Sequence, residues 1–384
     1  KVGIVENVPV EREGSSLTQM LFIEVRYTEG LPDTYFLPLS FSSGDEAQRI
    51  MKESPQAVIA RLRTEDAQGI IYDGVYNEEF RKNILLMLRR KHIIRGLQGY
   101  ITFYPGESFK DDEREHLHLE KSQVLKAEQS NTSFLYGKEF FFKLYRRLDE
   151  GMNPDVEIER FLTEKTSFIN IPPFAGAIEY KRDNVSIDFG ESIYQPIVIG
   201  MLQGFVPNQG DAWGYTLDSV RGYFDRVLSK RYEMEEIPKV PSRFLDMASR
   251  EIPLLLQELI GGIYLEMSTL LGRRTGELHL ALSSDSEDPN FAPEPFSLLY
   301  QRSLFQSMES LTKRVFELLK KNLKNLREGQ RDEANRILNL KKEIIDRFRA
   351  LLNKKISAMK IRIHGDYHLG QILYTGNDFI IIDF

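Results

Sequence analysis

His364-Gly365-Asp366-Tyr367-His368-Leu369-Gly370-Gln371 and then Ile380-Ile381-Ile382-Asp383-Phe384 stand at the end of the chain, and their side chains decide how everything upstream is read. Asp366, on a loop after Gly365, is placed to take a proton from an attacking hydroxyl. Gln371 lies five positions on, and Asp383 ends an apolar strand. Both are hard oxygen donors of the kind magnesium accepts while it keeps several waters. Between them, Ile372-Leu373-Tyr374, Gly376-Asn377 and Phe379 to Ile382 read as a hairpin, which returns the chain so that the two donors can face one ion. Phosphoryl transfer asks little covalent chemistry of a protein. It needs an aimed nucleophile, a proton acceptor and neutralised phosphate charge. Alone, His-Gly-Asp reads as a turn; with Gln371 and Asp383 it reads as a metal-assisted transfer site. His364 is expected to brace the loop. His368 is open to two readings, contact with substrate or phosphate and a structural role.

Protein kinases share this layout: a catalytic Asp, an Asn five residues later, and an Asp-Phe pair on the next hairpin. The fold expected is therefore α+β and bilobal, of the eukaryotic-protein-kinase type, with a β-rich N-terminal cap and a largely helical C-lobe. Expected boundaries are 1–95 for the cap, 96–204 for the nucleotide-binding N-lobe and 205–384 for the C-lobe. Ser133 to Tyr136 and Glu139 to Tyr145 predict a hairpin across Gly137-Lys138. Within it, Phe140-Phe141-Phe142-Lys143-Leu144-Tyr145 buries a lysine in an apolar strand, which is costly without a partner. ATP phosphates and a helix carboxylate would supply one; the competing reading is a solvent-facing lysine on an edge strand. Asn153-Pro154-Asp155 starts the helix, with Asn as cap and Pro at the first position. Glu157 is the expected partner of Lys143, and Glu159 the second choice. Before the hairpin, Glu128-Gln129-Ser130-Asn131-Thr132-Ser133 holds no glycine. Ser130, Asn131, Thr132 and Ser133 could bind phosphates through hydroxyls, amides or backbone, or form a turn with no ligand. Met201-Leu202-Gln203-Gly204-Phe205-Val206-Pro207-Asn208 reads as an interlobe linker, with Gln203, Phe205 and Val206 placed for adenine. Asp211 follows as a substrate candidate, and Trp213 as core or helix-start packing.

The 384 residues are 41% hydrophobic and 28% charged, which is a globular composition. A net charge of -6 speaks against nucleic acid as partner. There is no cysteine, hence no disulfide or Cys-based zinc site, which fits a cytoplasmic protein. No apolar run approaches the roughly 20 residues of a membrane helix, and no signal peptide is seen. The chain begins strand-like at Lys1 without an initiator Met and stops inside the terminal motif, so a fragment of a longer polypeptide is expected.

Strands are predicted over Val2 to Val8, Leu17 to Tyr27, Thr34 to Phe41 and Ala57 to Arg63, then a helix from the Asn77 cap through Arg90. Phe174 to Tyr180 is expected to pair with Val185 to Phe189, and Tyr194 to Leu202 to form an apolar strand. Beyond Gly204 the chain turns helical: Trp213 to Leu228, then Phe244 to Leu282 with breaks near Pro253 and Gly272, then Leu311 to Leu326 and Ala334 to Ile356. Arg274-Thr275-Gly276-Glu277-Leu278-His279 is a dense polar run in which Thr275 or Glu277 could brace the catalytic loop.

Several runs together resemble the maltokinase family. They are Gln129 to Ser133, Phe142-Lys143-Leu144-Tyr145-Arg146-Arg147, Asn153 to Glu157, Leu202 to Asn208, Gly272 to His279 and the terminal block. The resemblance spans residues 1 to 384. Gln371 at the metal position departs from the Asn of aminoglycoside phosphotransferases and protein kinases. The resemblance implies an aminoglycoside-phosphotransferase-like kinase fold with an N-terminal cap. It also implies ATP- and Mg2+-dependent phosphorylation of maltose at the anomeric hydroxyl, giving maltose 1-phosphate for bacterial α-glucan synthesis. Asp366 matches the catalytic base, Gln371 and Asp383 the magnesium ligands, and Lys143 the nucleotide lysine. Members are often fused to a trehalose synthase, which implies a fusion or a complex here. The alternatives are a related aminoglycoside or choline kinase, and a silent partner module of trehalose synthase.

Overall fold

β-Branched and aromatic residues at alternate positions open the chain and build its first sheet. The computed structural model describes residues 1–10, 18–63, 68–109, 121–125, 131–183, 187–188, 191–192, 195–230 and 251–384. Strands β1 (Val2–Val10), β2 (Thr18–Val25), β3 (Asp33–Ser43), β4 (Val58–Arg63) and β5 (Gln68–Asp73) pair in the order β1-β2-β3-β5-β4, with α1 (Gly44–Glu53) between β3 and β4. Val8, Val10, Met20, Phe22 and Phe36 fill its core face. Helix α2 (Glu78–Arg89) starts where the Asn77 side chain accepts the Phe80 N–H, with Glu78 and Glu79 favourably set against the helix dipole. It buries Phe80, Ile84, Leu85 and Leu88 in the same core.

The second sheet is built from β6 (Ile93–Arg95), β7 (Gly99–Pro105), β8 (Ser122–Val124), β9 (Asn131–Tyr136) and β10 (Phe140–Tyr145), and later strands complete it. After β10 come the two-residue β11 (Arg147–Leu148), paired with β3, and α3 (Pro154–Lys165). Then follow β12 (Phe174–Arg182), the small pair β13 (Ile187–Asp188) and β14 (Glu191–Ser192), and β15 (Ile197–Gly204). The sheet order is β6-β7-β12-β15-β10-β9-β8, and its ladders are antiparallel. β12 is flanked by β7 and β15, so it has no side left for the expected partner Val185 to Phe189. The described part of that segment, Ile187–Asp188, pairs with β14 instead.

One core runs through both sheets, across the expected boundary near residue 95. Polar stitches reinforce it. The buried Glu6 carboxylate accepts the N–H of Leu97 at 2.9 Å, the N–H of Gln98 at 2.8 Å and the Tyr180 hydroxyl at 2.7 Å. Arg146 donates to Asp73 at 2.5 Å and to Thr132 at 2.8 Å.

Helices follow: α4 (Ala212–Lys230), α5 (Leu254–Ile260) and α6 (Gly262–Leu282). α6 runs unbroken through Gly272 and Gly276, because an interior glycine costs a helix only about 1 kcal/mol. The break falls at Gly261, where φ is +96° and the absent Cβ allows an 87° bend between α5 and α6. Among the described residues no single helix is long and apolar enough to cross a membrane. The chain divides into two compact units, 1–281 with 364–384, and 282–363. The second holds β16 (Glu294–Pro295), α7 (Leu298–Asn322), α8 (Glu328–Asn339), α9 (Lys341–Arg349) and β17 (Met359–Lys360), which pairs with β16. The expected single helix from Ala334 to Ile356 is thus two, meeting at Leu340 just after Asn339, a residue type that competes with the helical backbone. The hairpin β18 (Ile372–Tyr374) and β19 (Phe379–Ile381) belongs to the first unit.

Candidate active site

Strand register gathers the first wall of the site. On β10, Lys143 stands opposite Ser133 of β9 and Met201 of β15, while Phe141 stands opposite Leu135 and Gln203. The two-residue period puts all six on one face. There Lys143, 8% exposed, donates from Nζ to Asp155 Oδ2 at 2.5 Å and to Asp383 Oδ1 at 2.7 Å. Burial alone would lower its pKa, but the two carboxylates outweigh that and hold the ammonium above the usual lysine value. Tyr145 adds a hydroxyl donor to Asp155 Oδ2 at 3.0 Å; burial and that carboxylate push the phenol well up.

The helix partner of Lys143 is thus Asp155, not Glu157. At 100° per residue, Asp155 and Glu159 share one face of α3, and Glu157 lies roughly 200° around from Asp155. Asn153 fixes that phase by accepting the Asp155 N–H at 2.9 Å, with Pro154 as the first helical residue. Glu159 is 1% exposed. Burial pushes its carboxyl well above the usual range, Asp155 pushes it further, and Lys143 opposes both. With the amide oriented to satisfy both groups, Gln203 Nε2 donates to each Glu159 oxygen at 3.1 Å.

The second wall is the terminal hairpin with its loop. His364 is buried and donates Nε2–H to the Ile382 carbonyl at 2.9 Å, its ring packed against Phe384. This is the bracing role expected of it. Asp366 follows Gly365, whose φ is +94°, and its side chain is 82% exposed. His368 Nδ1 accepts the Gly370 N–H at 3.0 Å, which leaves the proton of the neutral ring on Nε2, 3.9 Å from Asp366 Oδ2. Its ring therefore caps the short 3-10 turn Leu369–Gln371 while facing the candidate base. Ile382 N–H donates to the Gln371 carbonyl at 3.0 Å, which brings the backbone of Gln371 beside the residue before Asp383 at the open end of the hairpin. Asp383 has φ +60°, a conformation that costs a non-glycine residue of order 1 kcal/mol and collects at functional positions. Lys143 takes its Oδ1, leaving Oδ2 and the Gln371 amide as hard oxygen donors that suit magnesium.

Helix α6 braces this hairpin. Arg274 grips Asp378 with Nε at 2.9 Å and Nη2 at 2.7 Å, and donates Nη1 to Glu277 at 2.7 Å. Thr275 Oγ1 and the Tyr367 hydroxyl are 2.7 Å apart. Sequence reasoning singled out Thr275 and Glu277 but missed Arg274, whose pairing with Glu277 at i,i+3 was the available signal.

The linker completes the enclosure. Gln209 N–H donates to the Tyr374 carbonyl at 2.8 Å, and Tyr374 N–H to that of Gly210 at 2.9 Å. Asp211, considered for substrate, uses Oδ1 to cap α4 through the Gly214 N–H at 2.7 Å. Trp213 is 57% exposed rather than core, because it follows the buried Ala212 onto the outer side of the helix. A cleft of about 250 Å³ is lined by Ser133, Phe141, Lys143, Gln203, Phe205, Val206 and Asp383, among others. Asn131 and Thr132 are strand residues, not loop. Thr132 lies on the opposite face from Ser133, where its hydroxyl holds Arg146. Ser130 lies outside the described residues. No protein-family model matches the chain.

Proposed function

We propose that the chain is a bilobal kinase that uses ATP and magnesium to phosphorylate a small hydroxylated substrate, and that this substrate is maltose, converted to maltose 1-phosphate. The observation that carries the kinase reading is the double contact of Lys143. A single buried ammonium joins a helix carboxylate to Asp383, 240 positions away, on the floor of a cleft walled by the linker. A lysine so held is pre-positioned for nucleotide phosphates, and Asp155 keeps it from collapsing wholly onto Asp383.

In this reading Phe205 and Val206 give the apolar contacts of the base and Lys143 neutralises phosphate oxygens. Gln371 and Asp383 would hold magnesium, which when bound supplies positive charge to the transferring phosphoryl group. Asp366, exposed on a loop braced by His364 and by the Thr275–Tyr367 bond, accepts the proton of the attacking hydroxyl. His368 orders the turn between the base and the metal ligands. The choice of maltose rests on the sequence resemblance set out above. A trehalose synthase, fused or associated, would supply maltose by isomerising trehalose.

Mass spectrometry of the product from maltose, ATP and magnesium tests the assignment. Maltose 1-phosphate is expected from the wild type and not from Asp366→Asn. Phosphorylation of an aminoglycoside or choline in its place would move the substrate. Undiminished product from Asp366→Ala would remove the mechanism.

A further inference from the structure

At the back of the cleft, Gln203 is the one residue of the linker strand that has a side-chain amide on the same face as Lys143. That amide is not free to turn. Nε2 is held by both oxygens of Glu159, and Glu159 is itself locked on α3, one turn from Asp155 and almost wholly buried. With the nitrogen engaged, Oε1 is the only polar side-chain atom that Gln203 can offer a ligand, and it can only accept.

Part of the backbone around it is engaged. Gly204 N–H donates to Pro173 at 2.8 Å, and Phe205 N–H donates to Glu139 at 2.8 Å. The Val206 carbonyl accepts from the Asn208 side chain at 2.9 Å. One fixed side-chain acceptor is therefore available to discriminate between bases. Adenine presents an exocyclic amine, which donates. Guanine presents a carbonyl in the corresponding place, which would set two acceptors against each other with no hydrogen between them.

We propose that Gln203 is the base-selecting residue of this cleft and Glu159 its positioning residue: the Glu159 carboxylate fixes the Gln203 amide with its oxygen toward the ligand, so that ATP is taken in preference to GTP. The inference rests on the nucleotide reading of the cleft given above. It assigns Glu159 a task separate from the pairing of Lys143, which Asp155 and Asp383 perform.

The test compares ATP with GTP for the full chain, at a pH high enough that Glu159 is ionised and can only accept, by titration of fluorescent analogues of both nucleotides and by kcat/KM with each as donor. Wild type, Gln203→Met and Glu159→Gln are measured. Methionine keeps the volume of Gln203 and removes its acceptor. Glutamine at 159 keeps shape and burial but lets the two amides pair in either orientation. Expected are a wild-type preference for ATP of about tenfold or more and a fall toward parity in Gln203→Met, seen mainly as weaker ATP binding with kcat little changed. Glu159→Gln should lie between the two, with GTP improved, an effect that mere loosening of the fold would not give. Since the neutral Glu159→Gln change keeps the packing, it preserves the test if Gln203→Met does not fold. A wild type that binds both nucleotides equally, or variants that bind them with the wild-type ratio, overturns the inference alone. A wild type that binds neither nucleotide overturns it together with the kinase reading.

Discussion

Lys143 shows how a single side chain organises the site. Truncating one member of a buried, hydrogen-bonded charge pair typically costs about 3–5 kcal/mol, because the other charge is left without its partner. Asp155→Asn is therefore expected to lower stability by a few kcal/mol and to weaken ATP binding, whereas Glu157→Gln should leave ATP binding nearly unchanged. Chemical denaturation and nucleotide titration of the two variants check this; equal effects would remove Asp155 from its role. Asp366→Asn is expected to reduce kcat by two or more orders of magnitude, roughly the contribution of a positioned general base, with nucleotide affinity retained. A large loss of ATP affinity instead would place Asp366 in the nucleotide site. Glu159 adds a dependence on pH. Burial raises its folded-state pKa, so its contribution to stability is complete below the ordinary carboxylate value and is lost as pH rises through the raised value. Glu159→Gln should gain in melting temperature over the wild type as pH rises from the ordinary carboxylate value through the raised one. A difference that stays constant across that range would contradict the burial argument. The burial of Lys143 on its strand, and the placement of Gln371 and Asp383 at the two ends of a hairpin, were legible because an apolar strand with one lysine, and a carboxylate and an amide flanking a hairpin, are unusual sequence. The pairing of Asp155 was not, since choosing among the four acidic residues on α3 requires the phase of the helix relative to the sheet.

At the scale of elements, the strands and caps followed local chemistry closely. Asn77 and Asn153 cap α2 and α3 as their residue types and flanking acids suggest. The breaks did not. The break expected near Gly272 falls instead at the Gly261-Gly262 pair, the stronger break signal; Gly261, with φ +96°, is where α5 ends. β12 likewise took β7 and β15 as neighbours, pairings that no short-range pattern announces. The brace from α6 to the hairpin is the least legible part, and it carries its own prediction. Arg274→Met is expected to raise the magnesium concentration for half-maximal activity several-fold. Its stability cost should stay near 1 kcal/mol or below, because both partners are partly exposed and screened. A magnesium titration of the variant checks this, and an unchanged midpoint would show that Gln371 and Asp383 hold their places without the brace.

Across the whole molecule, the α+β class was readable from strand-rich and helix-rich halves, and the continuity of the N-terminal core was not. Glu6 explains why. In sequence it is an ordinary acid in an alternating strand; in the fold its carboxylate accepts hydrogen bonds from Leu97, Gln98 and Tyr180. Glu6→Gln replaces one acceptor oxygen by a donor nitrogen that meets other donors, with an expected cost of about 1–3 kcal/mol. Denaturation followed by urea checks that value, and a variant as stable as the wild type would mean that the first sheet is held by apolar packing alone.

The reach of Lys143 also sets an order of events during synthesis. Asp155 leaves the ribosome soon after the lysine, but Asp383 emerges 240 residues later, after the entire 282–363 unit. A nascent chain can thus satisfy half of that ammonium early and must wait for nearly the last codon of this stretch before the cleft closes on its second carboxylate. Any stall in translation between those points would leave Lys143 paired with Asp155 alone and the cleft without the carboxylate that completes its lining.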